Sequence, residues 1–270
     1  MSLKRAFCSP WRLLVTTFLF FLLMLLTSQY GKSLLSVEGF FLLTFDVAGP
    51  WAHTDIMTVL LFIASNLLFF FSTGDLFLED IEISSVYIFP RIGTKRRWLR
   101  QQTFRLLFLT ALFWISIFLL AFCFAGAIGL KVKGSVLFYI QQYFITVFSS
   151  FLLSFVQNFL SLRIGSSPAF IITVCIFSGS LFVGMAGYQT AFGNGWLFAL
   201  LPPIGQMLHW HSDAAIPQSV RQTLISYSPI PGFALWKSFV FLLIYWILLY
   251  VYLYFKIEKA DLIDFIKEKN

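Results

Sequence analysis

The sequence predicts an all-α integral membrane protein with six transmembrane helices, formed as one domain over residues 1–270. Three observations lead there. The chain is 59% hydrophobic and only 11% charged, against roughly a quarter charged in ordinary soluble domains. Its 35 phenylalanines fill whole segments instead of one stripe at helical spacing, as lipid-facing helices require. Finally, six apolar stretches approach the roughly 20 residues a helix needs to cross the hydrocarbon.

Those stretches run from Trp11 to Gln29, Ile56 to Ser72, Phe104 to Leu130, Val136 to Leu160, Ala169 to Gly187 and Leu235 to Phe255. The first follows Lys4 and Arg5 like a signal peptide. However, its apolar core is long and is followed by Thr27, Ser28, Gln29 and Tyr30 with no small-residue cleavage site, so it is expected to stay as an anchor. Two connections are too long for turns. Residues 74–102 form one, and the other contains an apolar stretch, residues 193–211, interrupted by Gly193, Gly195, Pro202, Pro203 and Gly205. Too short to cross and too apolar for a solvated loop, the latter is expected to be a re-entrant or interfacial hairpin, with Trp196, Trp210 and His211 at the headgroup level.

The net charge of +7 sits at the ends of apolar spans and reports membrane orientation, not nucleic-acid binding. With the amino terminus inside, fourteen Lys and Arg residues fall on the cytoplasmic side. Five (Lys32, Lys131, Lys133, Arg221 and Lys237) fall outside. The positive-inside rule selects this orientation, and an even number of spans returns the carboxyl terminus to the cytoplasm. Residues 256–270 carry Ile257, Leu262, Ile263 and Ile266 on a short candidate interfacial helix.

Catalytic patterns are missing. Gly31-Lys32-Ser33 lacks the glycine five positions earlier that a phosphate loop needs, since Leu26 stands there. No HExxH occurs, and His209 and His211 bracket Trp210 at a spacing that suits neither a zinc protease nor a prenyl-endopeptidase. They are read as interfacial residues beside an aromatic anchor. Cys8, Cys123 and Cys175 are too far apart for a metal pattern and imply no disulfide framework. The expectation is therefore no enzyme, no cofactor and no metal. The spans hold no ionisable residue away from their ends, where Arg12, Arg105 and Lys237 can snorkel. Their interior polar residues Asn66, Gln141, Gln142, Gln157 and Asn158 serve either interhelical hydrogen bonding or a substrate path. Any active transport must then draw energy from a cytoplasmic partner.

Between spans two and three, Asp75, Glu79, Asp80 and Glu82 lie among apolar residues. Pro90 and Gly93 then break the segment before Lys95, Arg96, Arg97, Trp98 and Arg100. Such an element is either a docking site or an anchor to anionic lipid. Here the chain resembles the ABC-2-type permeases, especially the small six-span subunits of bacterial peptide-export and bacteriocin-immunity transporters. The likeness lies in Glu79 through Tyr87 and Arg91 to Trp98, in WLFALLPPIGQMLHWH from Trp196 to His211, and in SYSPIPGFALWKSF before the last span.

The resemblance implies a bacterial cytoplasmic membrane, a second permease subunit and a separate ATP-binding-cassette ATPase. It makes Asp75, Glu79, Asp80, Glu82, Tyr87 and Arg91 docking candidates, and Trp196, Pro202, Pro203, Trp210 and His211 the re-entrant hairpin. The cargo is expected to be hydrophobic or amphipathic and peptide-like. The alternative is a non-transporting immunity or receptor protein that binds a peptide or partner helix.

Overall fold

The computed structural model describes residues 10–29, 36–46, 56–81, 94–188, 195–225 and 228–259. Among them the regular structure is entirely helical. The long helices are α1 (Pro10–Gln29), α3 (Ile56–Thr73), α4 (Lys95–Ala127), α5 (Val136–Ile164), α6 (Ser166–Gly187) and α10 (Leu235–Lys259). Shorter ones are α2 (Val37–Phe45), α7 (Trp196–Ala199), α8 (Pro202–Gly205) and α9 (Gln218–Leu224), with a 3₁₀ turn at Leu208–Trp210. Five helical stretches, Ile56–Ile81, Lys95–Ala127, Val136–Ile164, Ser166–Gly187 and Leu235–Ile257, are long and apolar enough to cross a membrane. Within α1 the apolar stretch is shorter, Val15–Ser28.

The exposed surface departs from that of a water-soluble bundle. Phe104 (65% exposed), Phe108, Leu119, Val183, Leu248 and Phe255 point outward. Fully enclosed residues include Gln142, Thr146, Ser149, Ser150, Ser154 and Asn158. Apolar side chains outside and polar ones enclosed within the bundle suit a hydrocarbon solvent.

The helices run up and down between two ends. At the basic end α4 starts and α5 and α10 finish, bringing Lys95, Arg96, Arg97, Arg100, Arg163 and Lys256 to one level. At the hairpin end α7, α8 and the 3₁₀ turn pack onto α5, α6 and α10. A smaller apolar core at the basic end joins Leu76, Phe77, Trp98, Leu99, Phe155 and Leu253, while the main core fills the rest.

Among the boundaries that differ from the sequence expectation are the start of the third span, the end of the fourth and the start of the fifth. The third span was expected to begin at Phe104, but the basic stretch is already its first turns: Thr94 caps it by accepting from the Arg97 N–H at 3.3 Å. At 33 residues, α4 is about 50 Å long, so these cations extend past a hydrocarbon layer of about 30 Å. The fourth span continues to Ile164, and the fifth begins at Ser166. Only Gly165 separates them, at φ +86°, a left-handed value that glycine adopts without a Cβ penalty.

The segment from 30 to 55 holds an element the hydropathy pattern did not reveal. The nine residues of α2 are all buried, with Phe40, Phe41 and Phe45 in the main core. About 14 Å of helix cannot cross a bilayer, and α2 instead wedges among α1, α3 and α4.

Candidate functional site: a buried polar seam

Helix α5 carries the site. Gln142, Thr146, Ser149, Ser150, Ser154, Gln157, Asn158 and Ser161 recur at three- and four-residue intervals and are all buried, so they form one broad polar face. From Gln142 to Ser161 this face is about 28 Å long, close to the thickness of the hydrocarbon. It is a polar seam along the length of the helix.

At the basic end the seam holds a kink. Helix α3 stops at Thr73 and helical structure resumes over residues 76–81. The backbone groups released there are taken up by Asn158: its Nδ2 donates to Thr73 O at 2.7 Å, and its Oδ1 accepts from the Phe77 N–H at 3.0 Å. Thr73 Oγ1 and Ser154 Oγ share a bond at 2.8 Å, and Gln157 Nε2 donates to Phe70 O at 3.3 Å. A Cβ on Gly74 would coincide with the Gln157 amide, so this contact requires glycine. Asn66 donates to Phe62 O of its own helix at 3.1 Å.

At the other end the seam meets the hairpin. Ser149 Oγ donates to Pro202 O at 2.9 Å, and Tyr245 Oη donates to Leu200 O at 3.0 Å. Ser149 lies about 20 Å along α5 and Tyr245 about 15 Å along α10, so the hairpin reaches well down the bundle. Gly184 makes room for Ile204: a Cβ there would meet that side chain. Gln141 leaves the seam, and its Oε1 accepts from the Ala215 N–H at 2.8 Å.

Trp210 and His211 correct the expectation of headgroup-level anchors. Both are fully buried, as is His209. Trp210 packs edge-on against Tyr188 and Phe198, and His211 stacks on Phe233 at 4.0 Å. His211 Nε2 lies 3.0 Å from Gly205 O. A carbonyl only accepts, so the proton is on Nε2. Burial pushes this imidazole down to about 4, opposed in part by the Gly205 carbonyl and nearby Asp213 and Asp46. Of the expected hairpin residues, Trp196 is exposed, Pro202 half-buried and Pro203 buried.

Asp46 meets the neighbouring His209. It ends α2, where its Oδ2 accepts from the His209 N–H at 3.1 Å and its Oδ1 lies 3.1 Å from His209 Nδ1. At the other end of α2, Glu38 accepts from the Lys133 and Gly134 N–H groups (3.1 and 2.7 Å) and from Tyr139 Oη at 2.8 Å. Burial pushes its pKa up, but the backbone donors and the Ser36 and Tyr139 hydroxyls outweigh it and hold the carboxyl below its usual range. Sequence reasoning missed both residues. The available signal was an apolar run bounded by two carboxylates, VEGFFLLTFD.

The acidic-apolar segment is only partly described. Asp75, Glu79 and Asp80 are half-buried, and Glu82, Tyr87 and Arg91 lie outside the described residues. Asp80 is held by α4: it accepts from Trp98 Nε1 at 2.9 Å and Gln102 Nε2 at 2.7 Å, and pairs with Arg105 at 3.4 Å.

On the seam Gln142 Oε1, Ser150 Oγ and Gln157 Oε1, and elsewhere in the bundle Asn66 Oδ1, Gln206, His211 Nδ1 and Ser238 Oγ, have no hydrogen-bond partner among the described residues. Such buried groups cost about 1–3 kcal/mol each unless water or a ligand meets them. The arrangement is a set of neutral donors and acceptors. Among the described residues no group of three or more His, Cys, Asp or Glu side chains is placed to hold a metal ion. No protein-family model, curated protein or solved structure matches the chain at a significant level.

Proposed function

We propose that the chain is a permease subunit of an ATP-binding-cassette transporter. It would work in a bacterial cytoplasmic membrane with α1 as a sixth span and both termini inside, beside a second permease subunit and two separate ATPase subunits. The observation that carries this reading is the polar seam of α5: buried, neutral, as long as the hydrocarbon is thick, and met by a packed hairpin. Unpartnered amides and hydroxyls along such a line match the polar groups of a peptide-like, amphipathic cargo. The hairpin reading is of a re-entrant gate, with α7 and α8 below the headgroups against α5 and α10. The α3 kink and the segment that follows it are the docking site for the ATPase, as the resemblance to ABC-2-type permeases implies.

The test is affinity purification of the full chain from its native membrane under mild detergent. A co-purifying ATPase with a phosphate-binding loop, whose hydrolysis changes when Gln142 and Ser150 are both replaced by leucine, is the expected result. Purification without any ATPase would overturn the reading. One observation favours the second reading, a non-transporting immunity or receptor protein: Asp80 is engaged by Trp98, Gln102 and Arg105 within the chain, which leaves fewer carboxylates to meet a partner.

A further inference from the structure

At the basic end two cations from different helices meet at one hydroxyl. Arg163 stands in the last turn of α5, and Lys256 near the end of the apolar stretch Leu235–Ile257 of α10. These two helices pack against each other. Lys256 Nζ donates to Tyr252 Oη at 2.8 Å and lies 5.2 Å from the centre of that ring. Arg163 acts on the same hydroxyl from α5, with its guanidinium 4.8 Å over the Phe159 ring. The Phe159 and Tyr252 rings meet edge to face at 6.4 Å. Arg163, Tyr252 and Lys256 are all exposed.

A cation in a last turn offsets the negative end of a helix dipole, which accounts for either residue alone. It does not account for their convergence. Two like charges held at one hydroxyl repel, and an anion that bridges them turns the repulsion into attraction. The Tyr252 hydroxyl accepts from Lys256, which leaves its own proton to donate. Away from the basic end the cluster continues as a stripe: Ile244, Leu248, Tyr252 and Lys256 recur at four-residue intervals on one face of α10. Ile244 and Leu248 are exposed, Leu248 by 62%. From Ile244 to Lys256 the stripe is about 18 Å long, close to the roughly 15 Å of one hydrocarbon leaflet. Its order, apolar then aromatic then cationic, is the order of acyl chain, interface and phosphate in a phospholipid layer.

We propose that Arg163, Tyr252 and Lys256 bind the phosphate of an anionic phospholipid, with an acyl chain lying along Leu248 and Ile244. The guanidinium and the ammonium supply charge-assisted donors, and the Tyr252 hydroxyl donates between them. A headgroup of net negative charge keeps its phosphate charge for these two cations. An ethanolamine or choline headgroup brings a cation of its own, which Arg163 and Lys256 repel. The inference requires the helices to lie in a bilayer and is independent of transport and of which face is cytoplasmic.

The experiment uses the full chain in detergent with equimolar phosphatidylglycerol, phosphatidylethanolamine and phosphatidylcholine of identical acyl chains, with retained lipids counted by native mass spectrometry. The glycerol lipid should be retained about tenfold over each of the others, the worth of one charge-assisted hydrogen bond. The preference should disappear when Arg163→Gln and Lys256→Gln are combined. It should persist when Arg97→Gln and Arg100→Gln remove two exposed cations from the same end, with helix content and elution volume unchanged in both proteins. Equal retention of the three lipids, or a preference that survives the first pair of substitutions, would overturn the proposal. So would an equal loss in both pairs, which marks a diffuse attraction to the basic end. Displacement of the lipid by millimolar glycerol phosphate would assign the cluster to a soluble phosphate and overturn the lipid assignment.

Discussion

Replacing Asn158 by leucine keeps the side-chain volume nearly constant and removes the group that holds the α3 kink together. Its amide satisfies two backbone groups that have no helical partner, Thr73 O at 2.7 Å and the Phe77 N–H at 3.0 Å. It sits at 0% exposure, where water cannot substitute. Two orphaned buried groups at about 1–3 kcal/mol each give about 2–6 kcal/mol. Side-chain bonds in membrane proteins average only about 0.6 kcal/mol because the unfolded chain finds other partners, which places the expected loss at the lower end, about 2 kcal/mol. Ser161→Ala is the control: the Ser161 hydroxyl donates to Asn158 O within its own helix, and its removal should cost under about 0.5 kcal/mol. Reversible unfolding in mixed micelles of rising dodecyl sulfate fraction, followed by tryptophan fluorescence, measures both. An Asn158→Leu protein as stable as Ser161→Ala would refute the claim that this side chain secures the kink.

Glu38→Gln should destabilise the protein by about 1–3 kcal/mol, because a charge-assisted acceptor for the Lys133 and Gly134 amides becomes a neutral one. Its folded value is lowered, so its contribution is fully present above about pH 4.5 and is lost as pH falls through the lower folded value. Unfolding from pH 7 to 3 should show that loss in the parent and not in the variant. His211 is held neutral with a value near 4 against 6.5 when free. Stability should therefore fall as pH is lowered from about 6.5 towards 4, and His211→Gln should flatten that window. In a chain with Cys8, Cys123 and Cys175 replaced, a cysteine at Ser212 should react with an impermeant thiol reagent in intact cells, and one at Thr94 only after the cells are opened. The reverse labelling would exclude the proposed orientation.

The long helices were legible because each has to satisfy its own solvent. Val136, Leu235 and their neighbours declare spans by composition alone, and the starts of α3, α5 and α10 at Ile56, Val136 and Leu235 agree with the expected boundaries. Errors arose where a cap outranks hydropathy. Thr94 starts α4 nine residues ahead of the apolar run, since exposed basic turns continue a helix without loss. Asn66, Gln142, Gln157 and Asn158 were recognisable as interior polar residues. That Asn158 serves a kink while Gln142 Oε1 and Gln157 Oε1 remain unpartnered depends on where α3 stops beside α5. Hydropathy contains no such term.

By itself the sequence determined that the chain is all-helical with several long apolar segments, because lipid acts on each segment separately and demands apolar side chains and internally bonded backbone. The tertiary structure alone decided that α2 is buried, that Asp46 meets His209 across 163 positions, and that Trp210 and His211 are enclosed rather than presented to headgroups. The physical reason is that a buried polar group is stable only through its partner, and these partners come from segments far apart in the chain.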